Sequence, residues 1–326
     1  EALQFAPYYN LNNLVAIVDV NKLGQRGETM LGHDLKAYKK RAEAFGWYAI
    51  IIDGHNIKQI LSALAKAKSS KKPTIILAKT IKGKGISFLE GKNGWHGKSL
   101  PKDIAEKVLK KFPDILFPKV EISLPDKLDF EPPFIKSPKL TTYKPNDHVS
   151  TREAYGQALA NLAQVDPTLI AADGEVSNST FAEKVKKVRS KQFIEGFIME
   201  QNLIGISLGM SIKGLNVFAS TFAAFLTRAH DQLRMSALSN PNFTVCGSHA
   251  GVSIGEDGPS QMGLEDIGMF RAILNSIILY PSDAVSAEKL VYTAYQTRGL
   301  KYIRTTRPET PILYKPEDRF PIGEFK

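Results

Sequence analysis

LVAIVDVNKLGQ, residues 14–25, runs a continuous β-branched stretch into a polar turn. Leu14–Val20 is short, unbroken and rich in valine and isoleucine, the composition of a strand buried on both faces of a parallel sheet. The neighbouring segments agree. Leu35–Phe45 carries apolar residues at helical spacing, with Gly46 as its stop. Tyr48–Ile52 reads as a second strand, Ile57–Lys68 as a helix with Asn56 as N-cap, and Pro73–Ala78 as a third strand. Strand and helix alternate at α/β spacing, so the expected fold class is α/β with mainly parallel sheets.

Residues 120–147 change character, because Pro125, Pro132, Pro133, Pro138 and Pro145 break any periodicity; they read as a linker. A second α/β block follows. Its expected helices are Thr151–Val165, Gln201–Gly214, Phe222–Ala237, Glu265–Arg271 and Ala284–Thr297. Its expected strands are Thr168–Ala172, Phe193–Glu195, one opening at Val217–Phe218, Phe243–Cys246, Ser276–Tyr280 and Lys301–Arg304. The expected division is a first domain over 1–119, a linker over 120–147, a second domain over 148–313 and the start of a further connection over 314–326. The first block opens inside a helix, Glu1–Tyr9, with no strand before it, so its sheet is expected to be incomplete.

A chain of 326 residues, 43% hydrophobic, is long enough for two domains with cores of their own. No apolar run approaches the ~20 residues needed to span a bilayer, and no secretory signal is visible. The single cysteine, Cys246, reads as a small buried residue at a strand end and fits a reducing, cytoplasmic compartment. The net charge of +10 points to an anionic partner. The lysine groups (71–72, 107–111, 184–191) are not interleaved with aromatics as a stacking groove for nucleic acid requires, so phosphorylated metabolites are the better match.

Several residues suit chemistry. Glu200 lies between apolar residues at a helix start. Burial there would raise its pKa and let it hold or donate a proton, while the plainer alternative is an acid favoured by the helix dipole. Phe222 and Phe225, three apart, suit either core packing or a platform for a flat heterocycle. Asn21 at a strand end suits a turn or a hard cation, Mg²⁺ or Ca²⁺. His96 stands in a loop, and Lys82-Gly-Lys-Gly85 suits a diphosphate or a flexible basic turn. Residues 247–262 form a glycine-rich loop in which His249 and Asp257 could meet hydroxyls or a phosphate. In Arg304-Thr-Thr-Arg307 an arginine at a strand end suits bidentate phosphate binding.

Taken in order, Val18–Gln25, Ala78–Gly85, Trp95–Lys98, Met199–Asn202, Ser220–Phe225, Gly247–Gln261 and Arg304–Pro308 resemble the motifs of the transketolases, over nearly the whole chain. The resemblance implies a diphosphate-binding first domain, a pyrimidine-binding second domain, thiamine diphosphate with Mg²⁺ (or Ca²⁺), and a homodimer with active sites between subunits. By position it implies that Asn21 and the Leu23 carbonyl ligate the metal, and that Gln25, Lys82, His96 and Gln261 border the cofactor. Phe222 and Phe225 would hold the aminopyrimidine, with Glu200 on its ring nitrogen. His96 would polarise substrate, Arg152, Ser179 (or Ser177), His249 and Arg307 would hold a sugar phosphate, and Asp257 would read a hydroxyl. The implied reaction moves a two-carbon glycolaldehyde unit from a ketose phosphate to an aldose phosphate, in the pentose phosphate pathway. The family's Gly-Asp-Gly metal motif would fall upstream of Glu1 and its C-terminal domain beyond Tyr314, so the expectation is a fragment or one piece of a split enzyme, with the activity of this chain alone left open. A 1-deoxyxylulose-5-phosphate synthase shares the glycine-rich loop, but the contexts of His96 and Phe222 argue against it; a non-catalytic transketolase-like subunit is the other alternative.

Overall fold

A computed structural model describes residues 1–112, 121–124 and 137–325. The chain divides into two compact units, Glu1–Leu128 and Asp129–Lys326. Of the expected linker prolines, Pro125, Pro132 and Pro133 lie outside the described residues.

The first unit contains α1 (Ala2–Tyr8), β1 (Val15–Val20), α2 (Leu35–Ala44), β2 (Tyr48–Asp53), α3 (Ile57–Ser69), β3 (Thr74–Lys79) and α4 (Lys102–Leu109). Its sheet has the order β1-β3-β2, all parallel, with Thr74 opposite both Val15 and Tyr48. β3 is central, and its side chains alternate between two cores. Ile75 and Leu77 join Trp47, Ala49, Ala42 and Ala6 on one face, and Ile76 and Ala78 join Ile52 and Ala63 on the other. The Trp47 indole N–H donates to the Leu3 carbonyl (2.7 Å) and so fastens α1 to this unit. Asn56 caps α3 as expected, accepting from the Gln59 N–H.

The second unit contains β4 (His148–Ser150), α5 (Thr151–Val165), β5 (Leu169–Asp173), α6 (Ser177–Thr180), α7 (Glu183–Val188), β6 (Phe193–Glu195), α8 (Glu200–Ile212), β7 (Asn216–Phe222), α9 (His230–Ala237), β8 (Phe243–Ser248), α10 (Asp266–Arg271), β9 (Ile277–Leu279), α11 (Ala284–Gln296), β10 (Leu300–Arg304) and β11 (Glu309–Pro311). Six strands form one parallel sheet in the order β6-β5-β7-β8-β10-β9. Leu159, Leu162, Phe218, Cys246 and Ile303 build the core on one face; Leu203, Val217, Val245, Phe270 and Tyr302 build it on the other. Cys246 is therefore a core residue, and burial pushes its thiol up to about 12, far from a nucleophilic thiolate.

The expected helix Phe222–Ala237 is corrected. Phe222 ends β7, opposite Ser248 of β8, and the Ala223 N–H donates to the Ser248 carbonyl (2.7 Å). The chain then makes a 3₁₀ turn, Phe225–Ala229, before α9 begins. Pairing with β8 overrides the local helical spacing. The two-stranded antiparallel ladder β4–β11 was not legible, because each strand has three residues and its partner lies about 160 positions away.

Parallel register sets the strand ends level. Asp173 lies opposite Ser220, Phe222 opposite Ser248, and Arg304 opposite Gly247. The segments after β5, β7, β8 and β10 thus leave one edge of the sheet, where open α/β sheets bind ligands.

Packing against that edge is tight. A Cβ on Gly156 of α5 would collide with the Phe181 carbonyl and Cβ. Gly156→Ala should therefore cost about 1–3 kcal/mol by overpacking, read as a lower denaturation midpoint at unchanged m-value; a neutral effect would mean that the α5–Phe181 contact is looser than described.

Candidate active site

In the first unit the candidates gather on the segments after β1 and β3. The Asn21 side-chain oxygen accepts from the Leu23 N–H (3.0 Å), an Asx-type turn, and Lys22 between them has φ +61°. The turn is closed by Thr29 N–H to the Lys22 carbonyl and Gly24 N–H to the Gly27 carbonyl, both 2.8 Å. Leu23 is buried, and among the described residues no donor reaches its carbonyl. Two neutral oxygens fit part of the shell of a hard cation that draws its remaining ligands from phosphate and water. No cluster of three or more His, Cys, Asp or Glu stands ready for a metal among the described residues. Gln25 is exposed at the outer end of the same turn.

After β3, Lys82 Nζ lies 3.1 Å from His96 Nδ1. Trp95 beside it packs edge-on against Phe88 and carries the Lys98 ammonium over its ring. Two residues that sequence reasoning missed support this segment: His33 Nε2 lies 3.0 Å from the Thr80 carbonyl, and the Ile81 N–H donates to His55 Nε2 (2.8 Å). Both partners lie tens of residues away, so no local pattern announces them.

In the second unit, Glu200 is the first residue of α8, and its side chain is 4% exposed. Arg228 Nη1 approaches Glu200 Oε2 to 3.0 Å, yet Oε2 has no aligned hydrogen-bond partner among the described residues. α8 packs against β7 and the 3₁₀ turn. There Phe222 and Phe225 stack with centroids 5.2 Å apart and planes at 19°. The shelf forms although the two residues do not share a helix. His249 extends the stack, 4.0 Å from Phe222 at 17°.

His249 follows β8 with φ +57° and pairs through Nδ1 with Ser248 Oγ (3.0 Å). Gly247 before it lies flat on Tyr302, where a Cβ would strike the ring. Burial, then Arg152 and Arg307, push the His249 pKa down to about 4, so the ring is neutral at physiological pH. Arg152 of α5 donates to the Arg307 carbonyl (3.2 Å) and to the Ser179 carbonyl (2.8 Å), and lies over the Phe181 ring. Arg307 donates to Glu256 (2.7 Å), to Asp257 (3.3 Å) and to the Ile254 carbonyl. Arg152, Ser179, His249, Asp257 and Arg307 are thus drawn together from α5, α6 and the segments after β8 and β10. Gln261 ends a 3₁₀ turn, Pro259–Gln261, farther along the same loop.

The strand-end arginine itself, Arg304, is committed elsewhere. It binds buried Asp266 through Nε (2.7 Å), and the Tyr302 hydroxyl donates to the same carboxylate (2.6 Å). Asp173, at the end of β5, accepts from the Thr180 hydroxyl (2.6 Å) and the Val176 N–H (2.7 Å) and so shapes the turn that carries Ser179. Burial pushes Asp173 up to about 7 despite those bonds.

Strand ends of a parallel sheet bearing an aromatic shelf, a buried glutamate and convergent arginines make an α/β protein with groups suited to a flat ring and an anion. Residues 1–117 match the family model "Transketolase, thiamine diphosphate binding domain" and residues 147–312 match "Transketolase, pyrimidine binding domain". The chain belongs to the transketolase family. It is 48% identical over 331 residues to transketolase from Homo sapiens, covering 100% of this chain and 53% of that protein. It is 48% identical over 338 residues to transketolase-like protein 2 from Mus musculus, again covering 53% of the relative. The chain therefore spans about half the length of the curated relatives it matches. Among solved structures, transketolase from Campylobacter jejuni superposes with a TM-score of 0.81 at 23% identity, covering 97% of this chain and 55% of that one. Transketolase from Leishmania mexicana gives 0.72 at 20% identity, covering 95% and 53%. These two share the fold.

The His249 environment has a pH consequence. Its folded-state pKa of about 4 lies below the ordinary 6.5, so the unfolded chain takes up a proton first as pH falls. Its contribution to stability is full above about pH 6.5 and is lost as pH falls through 6.5 towards 4. Asp173 acts in the opposite sense, its contribution lost as pH rises from 3.8 towards 7. The difference between wild type and His249→Gln isolates the histidine: the variant should lose less stability between pH 6.5 and 4. Parallel Tm-versus-pH curves would contradict a buried neutral His249.

Proposed function

We propose that this chain supplies the diphosphate-binding and pyrimidine-binding parts of a transketolase, a transferase that moves a two-carbon unit between sugar phosphates in the pentose phosphate pathway of the cytoplasm. The observation that carries the reading is Glu200: a buried carboxylate with an open acceptor oxygen, on a helix packed against the Phe222–Phe225 shelf. The parts are a diphosphate-binding domain over 1–119, a linker over 120–147, a pyrimidine-binding domain over 148–313 and a further connection from 314. No helix among the described residues is long and apolar enough to cross a membrane; a nucleic-acid partner is not part of the proposal.

Thiamine diphosphate, when bound, supplies a carbon that adds to carbonyls and an electron sink for the fragment released. Phe222 and Phe225 would hold its flat pyrimidine by stacking, and Glu200 Oε2 would accept a hydrogen bond from its ring nitrogen when that nitrogen is protonated. The Asn21 side-chain oxygen and the Leu23 carbonyl would ligate Mg²⁺ (or Ca²⁺), whose charge would offset that of the diphosphate. Gln25, Lys82 and Gln261 line the cofactor. His96, paired with Lys82, borders it too; as the second catalytic residue it binds the sugar carbonyl end and moves protons there. Arg152, Ser179, neutral His249 and Arg307 hold the sugar phosphate, and Asp257 accepts from a hydroxyl. The site combines the first unit of one subunit with the second unit of its partner in a homodimer. The basic charge of +10 favours anionic sugars.

Assay of the protein with thiamine diphosphate, Mg²⁺, xylulose 5-phosphate and ribose 5-phosphate should give two-carbon transfer. Glu200→Gln should lower kcat by about 10²–10⁴; wild-type turnover in that variant would remove Glu200 from its role. Arg307→Ala should raise KM for phosphorylated sugars by about 10–100-fold, the worth of a charge-assisted bond. Carboligation that requires pyruvate would redirect the assignment to the synthase-type reaction.

A further inference from the structure

Arg228 has no part in the site as expected from sequence. It stands in the 3₁₀ turn Phe225–Ala229, three residues after Phe225. Side chains three apart eclipse one another in a 3₁₀ turn, so the turn that carries one ring of the shelf also carries a guanidinium on the same side. Glu200 is buried and Arg228 is 54% exposed. A carboxylate withdrawn from water needs a counter-charge; Arg228 supplies one from the solvent side at 3.0 Å, and the α8 N-terminus adds its dipole. The contact is an ion pair without an aligned hydrogen bond, so the charge is compensated while the acceptor capacity of Oε2 remains.

We propose that Arg228 is a positioning residue for Glu200: it holds the carboxylate in place and ionised, yet leaves Oε2 open to accept a hydrogen bond from the protonated ring nitrogen of an aminopyrimidine. The identity of that ring rests on the proposed function; the ion pair does not. Thermal unfolding of wild type, Arg228→Gln, Glu200→Gln and the double variant tests the pair. Arg228→Gln should lower Tm by several degrees, and adding Glu200→Gln should restore most of the loss. Simple additivity of the two changes would overturn the pairing. Infrared difference spectra, with the Glu200 band assigned from Glu200→Gln, should show an ionised carboxylate in wild type and Arg228→Lys, and a protonated carboxyl in Arg228→Gln. An ionised band in all three overturns the proposal. Calorimetric titration with thiamine diphosphate and Mg²⁺ should show Arg228→Gln weakened about tenfold or more, a loss of coupling typical of one contact, with Arg228→Lys close to wild type. Unchanged affinity in Arg228→Gln rejects the positioning role. A wild type that shows coupling in the unfolding cycle but takes up no thiamine diphosphate rejects the proposed function, and with it the role of Arg228 towards a ring.

Discussion

Parallel pairing of β7 with β8, and of β8 with β10, is the constraint on which the second unit's site depends. Register places Phe222 level with Ser248 and Arg304 level with Gly247. Each strand therefore releases its polar segment at the same edge, and residues from 152 to 307 in the chain become neighbours. A slip of one residue would turn Phe222 to the opposite face and break its stack with His249.

A buried carboxylate keeps that edge in place. Asp266 accepts from Arg304 and Tyr302 of β10, while Arg304 also donates to the Gly263 carbonyl (3.2 Å). The Gly251 N–H donates to the same carbonyl (2.9 Å), and the Ala250 N–H to the Thr305 carbonyl (3.1 Å). The loop that displays His249 and Asp257 is thus pinned at both ends to the strand that leads to Arg307. The ion pair is satisfied on several sides, the condition under which a buried charge is tolerated; loss of one partner would leave the other uncompensated. The arginine at the strand end is the one the fold needs for itself, and Arg307, three residues on, is the one that faces the loop's acids.

Much of the α/β architecture was legible because buried parallel strands are written as β-branched runs and the helices as spaced apolar residues. Thr151–Val165 and Phe193–Glu195 were read with the boundaries they have in the structure. The short elements were not: α4, α6, α7 and the β4–β11 ladder offer too few residues for a period to emerge. The Phe222–Phe225 spacing suggested a shelf through the wrong element, since strand pairing claims Phe222 and a tight turn claims Phe225. Residue types at the candidate site were also legible, as motifs, but their partners were not.

The sequence by itself determined most of the longer strands and helices, where the polar turns fall between them, and which side chains have the chemistry for a cofactor and an anion. These are properties of residues within a few positions of one another. Only the tertiary structure decided that Phe222 belongs to a strand, that His249 is a neutral ring stacked on it, that Arg304 serves Asp266, and that Glu200 has Arg228 as its counter-charge. Each of those depends on groups tens of residues apart being desolvated together, and the cost of burying a charge or a ring is set by what the fold brings beside it.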